Sequence, residues 1–223
     1  MKKYIDLLKK TLLFSGMTED EILSMMKCLS VIRKEYDKGE YIYSVGDVIT
    51  RVAMVLEGAV YIEREDYWGN NSILADISEG DMFGEVYAVT GREPVMINAI
   101  AARNCTVMMM DVDRIFRTCS STCPHHAGLI RNLTFAIASK NKTLTTKMGY
   151  LSQRTTKGKL LAYLSEQSVR CGSTSFDIPF NRQQLADFLA VDRSAMSKEL
   201  GKLKDEGVID FSKNHFIIKE KSR

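Results

Sequence analysis

The chain has 223 residues, 45% hydrophobic and 26% charged, with a formal net charge of +3. That is enough apolar material for two modest cores, and it excludes a disordered or fibrous chain. The longest apolar runs fall well short of the ~18 residues that span a bilayer, and MKKYIDLLKK has the charge of a signal peptide without its apolar stretch, so a cytoplasmic protein with no membrane partner is expected.

Residues 3–29 read as helical: Ile5, Leu8 and Leu12, then Ile22, Met25, Met26 and Leu29 recur at helical spacing. Thr18 followed by Glu21 fits a capping box. From Val31 to about Asp111 short β-rich runs (YIYSV, VAMVL, AVYIER, SILADI, TVMMM) alternate with turn signals at KGE, GD, EGA, WGNN and EGD, the texture of a sandwich or barrel-like roll. Met108, Met109 and Met110 are expected on a core strand rather than at a metal.

Residues 124–151 form one long helical segment opened by Pro124. Ile130, Ile137, Leu144 and Leu151 lie seven apart, interleaved with His126, Leu133, Lys140 and Lys147. As a heptad this is a two-stranded seam across a homodimer, weakened or gated by its lysines; the plainer alternative is a helix packed on its own domain. SQRTTKG, 152–158, breaks the pattern as a hinge. A helix from LLAYLSEQ, a strand (SFDIPF), two short helices, a longer helix and a hairpin follow.

Of the charged groups, 18 basic and 19 acidic residues fall in 1–150, against 13 and 9 in 151–223. The basic end is where a nucleic-acid footprint is sought. In NRQQLADFLAVDRSAMSKELGKLKDEGVI, 181–209, Asn181 caps a helix over 182–189. Leu185, Leu189, Val191, Met196 and Leu200 share a small core, and Ala186 is small where two helices cross. Asp192 caps the next helix and Gly207 ends it in the left-handed region. Helix, tight turn, capped helix is the geometry that lays its second helix in the major groove of duplex DNA. Two strands around 212–214 add a wing. Arg182, Arg193, Ser194, Ser197 and Lys198 are the DNA-binding candidates, donor-rich side chains suited to guanine edges and phosphates.

The chain resembles the Crp–Fnr transcription regulators over essentially its whole length. LADFLAVDRSAMSKELGKLKDEGVI looks like their recognition segment, KGEYIYSVGD, VLEGAV and GDMFGE like their β-roll signatures, and RTTKGKLLAYL like the start of their DNA-binding domain. The resemblance implies an α+β chain: a double-stranded, jelly-roll-like sensing β-roll with N-terminal helices over 1–123, a dimerisation helix over 124–151, and a winged helix-turn-helix over 152–223. It further implies a homodimer on a pseudo-palindromic operator and RNA polymerase as a partner. In one departure, Ala190 sits where the turn between the two helices usually has glycine; a left-handed alanine there costs about 1 kcal/mol.

In the cyclic-nucleotide-binding members, FGE serves the ribose, and an arginine and a serine ten and eleven residues after its glutamate hold the cyclic phosphate. Here Gly84 and Glu85 match, but those positions are Val95 and Met96, and Arg92 has the wrong spacing to replace the arginine. A buried phosphate without a cation is very costly, so cyclic AMP is not the expected ligand and the small-molecule effector stays unknown. Counting back from the hinge as the family does places Lys140, Leu144 and Thr145 beside the roll, with Lys140 facing Glu85 as an ion pair that an effector would change. The alternative is that Val95 and Met96 fill a collapsed pocket.

A second sensor candidate is CSSTCPHH, 119–126, in which Cys119, Cys123, His125 and His126 would serve a redox, metal or haem role. Its C-x3-C spacing is looser than that of common zinc sites, and the N-terminal cysteine cluster of iron–sulfur members is missing. Cys28, Cys105, Cys119, Cys123 and Cys171 form no regular framework, so free or structural thiols are the better expectation, with no metal or cofactor assigned. A ligand-binding protein acting through another protein is a competing class. An enzyme is the least supported: no nucleophile–base pair, Walker-type loop or paired-carboxylate site is legible.

Overall fold

The computed structural model describes residues 1–68, 71–91, 93–116 and 124–219, in two compact units, Met1–Ser139 and Lys140–Arg223. The first opens with a 3-10 turn (Lys2–Tyr4), α1 (Ile5–Lys10) and α2 (Glu19–Cys28). Thr18 and Glu21 make both bonds of the expected capping box. Residues 11–18 break the helical stretch, and Leu12 is exposed there.

The strands follow as β1 (Ile32–Tyr36), β2 (Tyr41–Tyr43), β3 (Arg51–Glu57), β4 (Val60–Glu65), β5 (Asn71–Ile77) and β6 (Met82–Phe83). After α3 (Glu85–Thr90) come β7 (Asn98–Ala101), β8 (Cys105–Asp111) and α4 (Val112–Phe116). They form two four-stranded antiparallel sheets, β1-β8-β3-β6 and β2-β7-β4-β5. One core takes side chains from both sheets and from α1 and α2. Met108, Met109 and Met110 are all buried on β8, opposite Val52, Ala53 and Met54 of β3. Gly58 allows a close approach of two loops in the roll: its φ is +90°, and a Cβ there would lie 2.5 Å from Asn104 O.

Helix α5 (Pro124–Leu151) is continuous over 28 residues. Leu129, Leu133 and Ala136 are buried in the roll's core, with Ile130 and Ile137 packed at its margin. His126 is buried too. Half of the heptad stripe therefore serves the helix's own domain, while Leu144 and Leu151 are exposed. Lys147 is not a plain seam residue: its ammonium lies 5.2 Å from the centre of the Phe188 ring.

The second unit adds α6 (Thr156–Cys171), β9 (Ser175–Asp177), α7 (Arg182–Leu189), α8 (Arg193–Asp205), β10 (Ile209–Ser212) and β11 (His215–Ile218), with the strands in the order β10-β11-β9. The break between α5 and α6 is shorter than the expected 152–158. Thr155 caps α6 by accepting from Gly158 N at 3.0 Å, so the helix already runs from Thr156. Strand β9 stops before Pro179, which has no N–H to give a ladder. Leu185, Ala186, Leu189, Met196 and Leu200 share one core with Leu160, Tyr163 and Phe216. Among the described residues no helix is long and apolar enough to cross a membrane.

Candidate nucleic-acid interface

Asn181 and Gln184 close a capping box at the start of α7, each accepting from the other's backbone N–H at 2.9 Å. At the end of α7, Ala190 takes φ 49° and ψ 60°, the left-handed state that favours glycine. Val191 N donates back to Ala186 O at 3.0 Å, and Asp192 then caps α8 by accepting from Ala195 N at 2.8 Å. Two helices, each with its own cap, are thus joined by three residues. Met196, Leu200 and Leu203 turn inward, which leaves the opposite face of α8 to solvent.

That face carries Arg193, Ser194, Ser197 and Lys198, all exposed. Among the described residues neither Arg193 nor Lys198 is in an ion pair. The two serines are already engaged: Ser194 donates to Asp192 Oδ1, and Ser197 donates to Arg193 O at 2.9 Å. As they stand the hydroxyls offer acceptor lone pairs, which suit the amino groups of adenine or cytosine, while Arg193 and Lys198 supply the donors that suit guanine. The Ser194 hydroxyl and the Ala195 N–H hold the Asp192 carboxyl below the usual aspartate range.

Arg182, the remaining DNA-binding candidate, is engaged within the unit. Its guanidinium lies 4.7 Å from the Phe211 ring centre and 5.1 Å from that of Phe216, half-buried, and burial lowers its pKa. It ties the start of α7 to the hairpin. Beside it, Phe180, Asn181, Arg182, Gln184, Lys213 and Asn214 line an open groove of ≈ 480 Å³. The turn of the wing, with Lys213 at φ 53°, forms one wall.

Sequence reasoning missed two supports of this unit. Lys159 donates to Leu189 O at 3.1 Å and to Ala190 O at 3.2 Å. Tyr150, at the end of α5, is buried among Tyr163 and Phe188 and donates to Glu166 Oε2 at 2.7 Å. Both are contacts at a sequence separation that periodicity does not report. A nucleophile–base chain is also present where none was legible. Ser175 Oγ lies 3.1 Å from His215 Nε2, and His215 Nδ1 lies 3.0 Å from Asp177 Oδ1. The Asp177 side chain is 72% exposed, so water competes for its charge. The relay fastens β9 to β11 at the surface.

In the roll, Gly84 caps α3 at φ 75°, and a Cβ there would lie 3.1 Å from both Ile49 and Tyr43. Glu85 is buried beside it. Val95 and Met96 do not fill a space together. Val95 N donates to Asp47 O and Gly46 N donates to Val95 O, and this pairing turns Val95 into the core (0% exposed) and Met96 outward (63%). Lys140, Leu144 and Thr145 belong to the second unit. There Leu144 is exposed and Thr145 donates to Asn141 Oδ1 at 3.2 Å.

Cys119, Cys123 and Arg92 lie outside the described residues. His125 Nδ1 is 3.2 Å from Glu21 Oε1, within the α2 capping box, and His126 is buried. Among the described residues no three histidine, cysteine, aspartate or glutamate side chains come together as a metal would need. Cys28, Cys105 and Cys171 are in no disulfide.

Two family models match the chain: a cyclic nucleotide-binding domain over residues 33–122 and a Crp-like helix-turn-helix domain over 158–223. The transcriptional activator protein FnrL of Cereibacter sphaeroides is 22% identical over 197 residues, covering 85% of this chain and 77% of that protein. The catabolite activator protein of Thermus thermophilus has a similar structure, with a TM-score of 0.51 at 20% identity, covering 94% of both chains. The c-di-GMP-responsive regulator CLP of Xanthomonas campestris gives a TM-score of 0.54 at 16% identity, covering 91% of this chain and all of that one.

Proposed function

This chain belongs to the Crp–Fnr family of DNA-binding transcription regulators, and from that premise we propose that it acts as a homodimer whose two α8 helices read a pseudo-palindromic operator. Half-sites ~34 Å or about 10 bp apart fit two such helices related by a two-fold. The observation that carries the reading is the solvent-facing row of Arg193, Ser197 and Lys198 on a helix capped by Asp192. The exposed Leu144, Met148 and Leu151 on α5 support the dimer, since a second copy of the helix would cover them. RNA polymerase is the partner through which a bound regulator of this kind would act.

The signal enters through the roll as a small molecule other than cyclic AMP. Support comes from the pair at 95 and 96: one side chain is packed in the core, the other is an exposed thioether, and neither offers a cation or a donor to a phosphate.

The test is selection of duplexes from a random library by the purified protein, with sedimentation to read its mass. An enriched palindrome bound by a dimer is expected. A monomer, or no enrichment on any duplex, overturns the reading. Titration of cyclic AMP by calorimetry should give no binding in the low-micromolar range.

A further inference from the structure

Ala190 occupies a backbone state that L-residues avoid, at the point that sets the angle between α7 and α8. The turn closes on itself through Ala190 N to Asp187 O at 3.2 Å and Val191 N to Ala186 O at 3.0 Å. The last carbonyls of a helix have no intrahelical donor, and they form the negative end of its dipole. Lys159, in the first turn of α6, meets both needs. Its ammonium donates to Leu189 O at 3.1 Å and Ala190 O at 3.2 Å, placing a positive charge at the C-terminus of α7.

We propose that Lys159 is a positioning residue for DNA reading: by binding these two carbonyls it holds the turn at Ala190 in its left-handed state, and so fixes how α8 presents Arg193 and Lys198. The backbone freedom that a glycine would supply at this turn is replaced by a cation from a neighbouring helix. Asp192 caps α8 only two residues further on, so a relaxation of Ala190 toward the right-handed region re-aims the whole of α8. Lys159 does this without touching a base.

The experiment uses the full chain and four variants: Lys159→Met, Lys159→Arg, Ala190→Gly, and Lys159→Met with Ala190→Gly. Amide hydrogen exchange without DNA is the first readout. Exchange at Ala190 and Val191 should quicken about tenfold in Lys159→Met, stay near wild type in Lys159→Arg, and return toward wild type when Ala190→Gly is added. The second readout is affinity for the duplex that the wild type enriches best, beside a scrambled duplex, across a salt series. Lys159→Met should lose about tenfold on the enriched duplex and less than twofold on the scrambled one, with Ala190→Gly restoring the loss. Unchanged exchange in Lys159→Met overturns the proposal. So does an equal loss on both duplexes with a salt slope reduced by about 0.9, the mark of a phosphate contact. The exchange readout does not depend on the DNA-reading assignment, so it decides the role of Lys159 in the turn even if no duplex is enriched.

Discussion

Tyr150, in the last turn of α5, donates its phenolic hydrogen to Glu166 of α6 at 2.7 Å, across the break at 152–155. Its ring packs edge-on to Tyr163 at 5.6 Å and lies 6.0 Å from Phe188. Burial and the Glu166 carboxylate both raise the Tyr150 pKa, so the phenol stays a donor at neutral pH. The end of α5 is therefore packed into the helix-turn-helix core, directly before the four residues that turn the chain into α6.

Removing the hydroxyl with Tyr150→Phe should cost about 1 kcal/mol of stability, and removing the ring with Tyr150→Ala about 3–5 kcal/mol. Urea unfolding followed by tryptophan-independent circular dichroism would measure both. Equal stability of Tyr150→Ala and wild type would show that the packing contributes nothing.

Tyr163 should behave the opposite way. Its hydroxyl is buried with no hydrogen-bond partner among the described residues, and burial pushes its pKa up to about 12. A buried donor left unsatisfied carries its full desolvation penalty. Tyr163→Phe keeps the ring contacts with Tyr150, Phe180 and Phe188 and removes the penalty. A gain of about 1 kcal/mol is expected in the same unfolding experiment; a loss would mean that the hydroxyl has found a water.

Asp192 sets a pH dependence. Its folded pKa lies below its unfolded value, chiefly through the Ser194 hydroxyl and then the Ala195 N–H. At low pH the unfolded chain thus binds the proton more readily than the folded one. The stability this cap contributes is fully present above about pH 4, the ordinary aspartate range, and is lost as pH falls through the folded pKa. Asp192→Asn keeps an acceptor but cannot titrate. The gap in urea midpoint between wild type and Asp192→Asn should therefore be largest at neutral pH and shrink below pH 4. A gap constant with pH would remove Asp192 from the acid response.

On DNA, Arg193→Ala or Lys198→Ala should cost about 1–3 kcal/mol on an enriched operator and relax discrimination at one base pair per half-site. Arg182→Lys tests a different role. It keeps the charge and loses the planar face over Phe211 and Phe216. Stability should fall while the salt slope of binding stays as in wild type. A drop in slope with stability unchanged would return Arg182 to the phosphate contacts.

The DNA-reading unit was legible because its signals are local. Asn181, Asp192 and Gly207 are caps and stops whose chemistry acts within a few residues, and the apolar spacing of Leu185, Leu189, Met196 and Leu200 follows helical period. What escaped were partners distant in sequence. Lys159 reaches Ala190, Glu166 reaches Tyr150, and Arg182 stacks on Phe211, all at separations where neither period nor capping speaks. The roll shows the same division. Its turns and strands were readable, but opposite orientations for Val95 and Met96 depend on backbone pairing with the turn at Gly46 and Asp47. The short helix Glu85–Thr90 also escaped, since six residues carry too little periodicity to announce it.

The sheet that contains β3 and β8 is filled with methionine: Met54, Met82, Met108, Met109 and Met110 are all buried in it. A thioether on an unbranched stem adapts to irregular gaps and accepts replacement with little loss. A roll packed in this way can exchange core residues over generations at little cost in stability, while its two sheets keep their strand order.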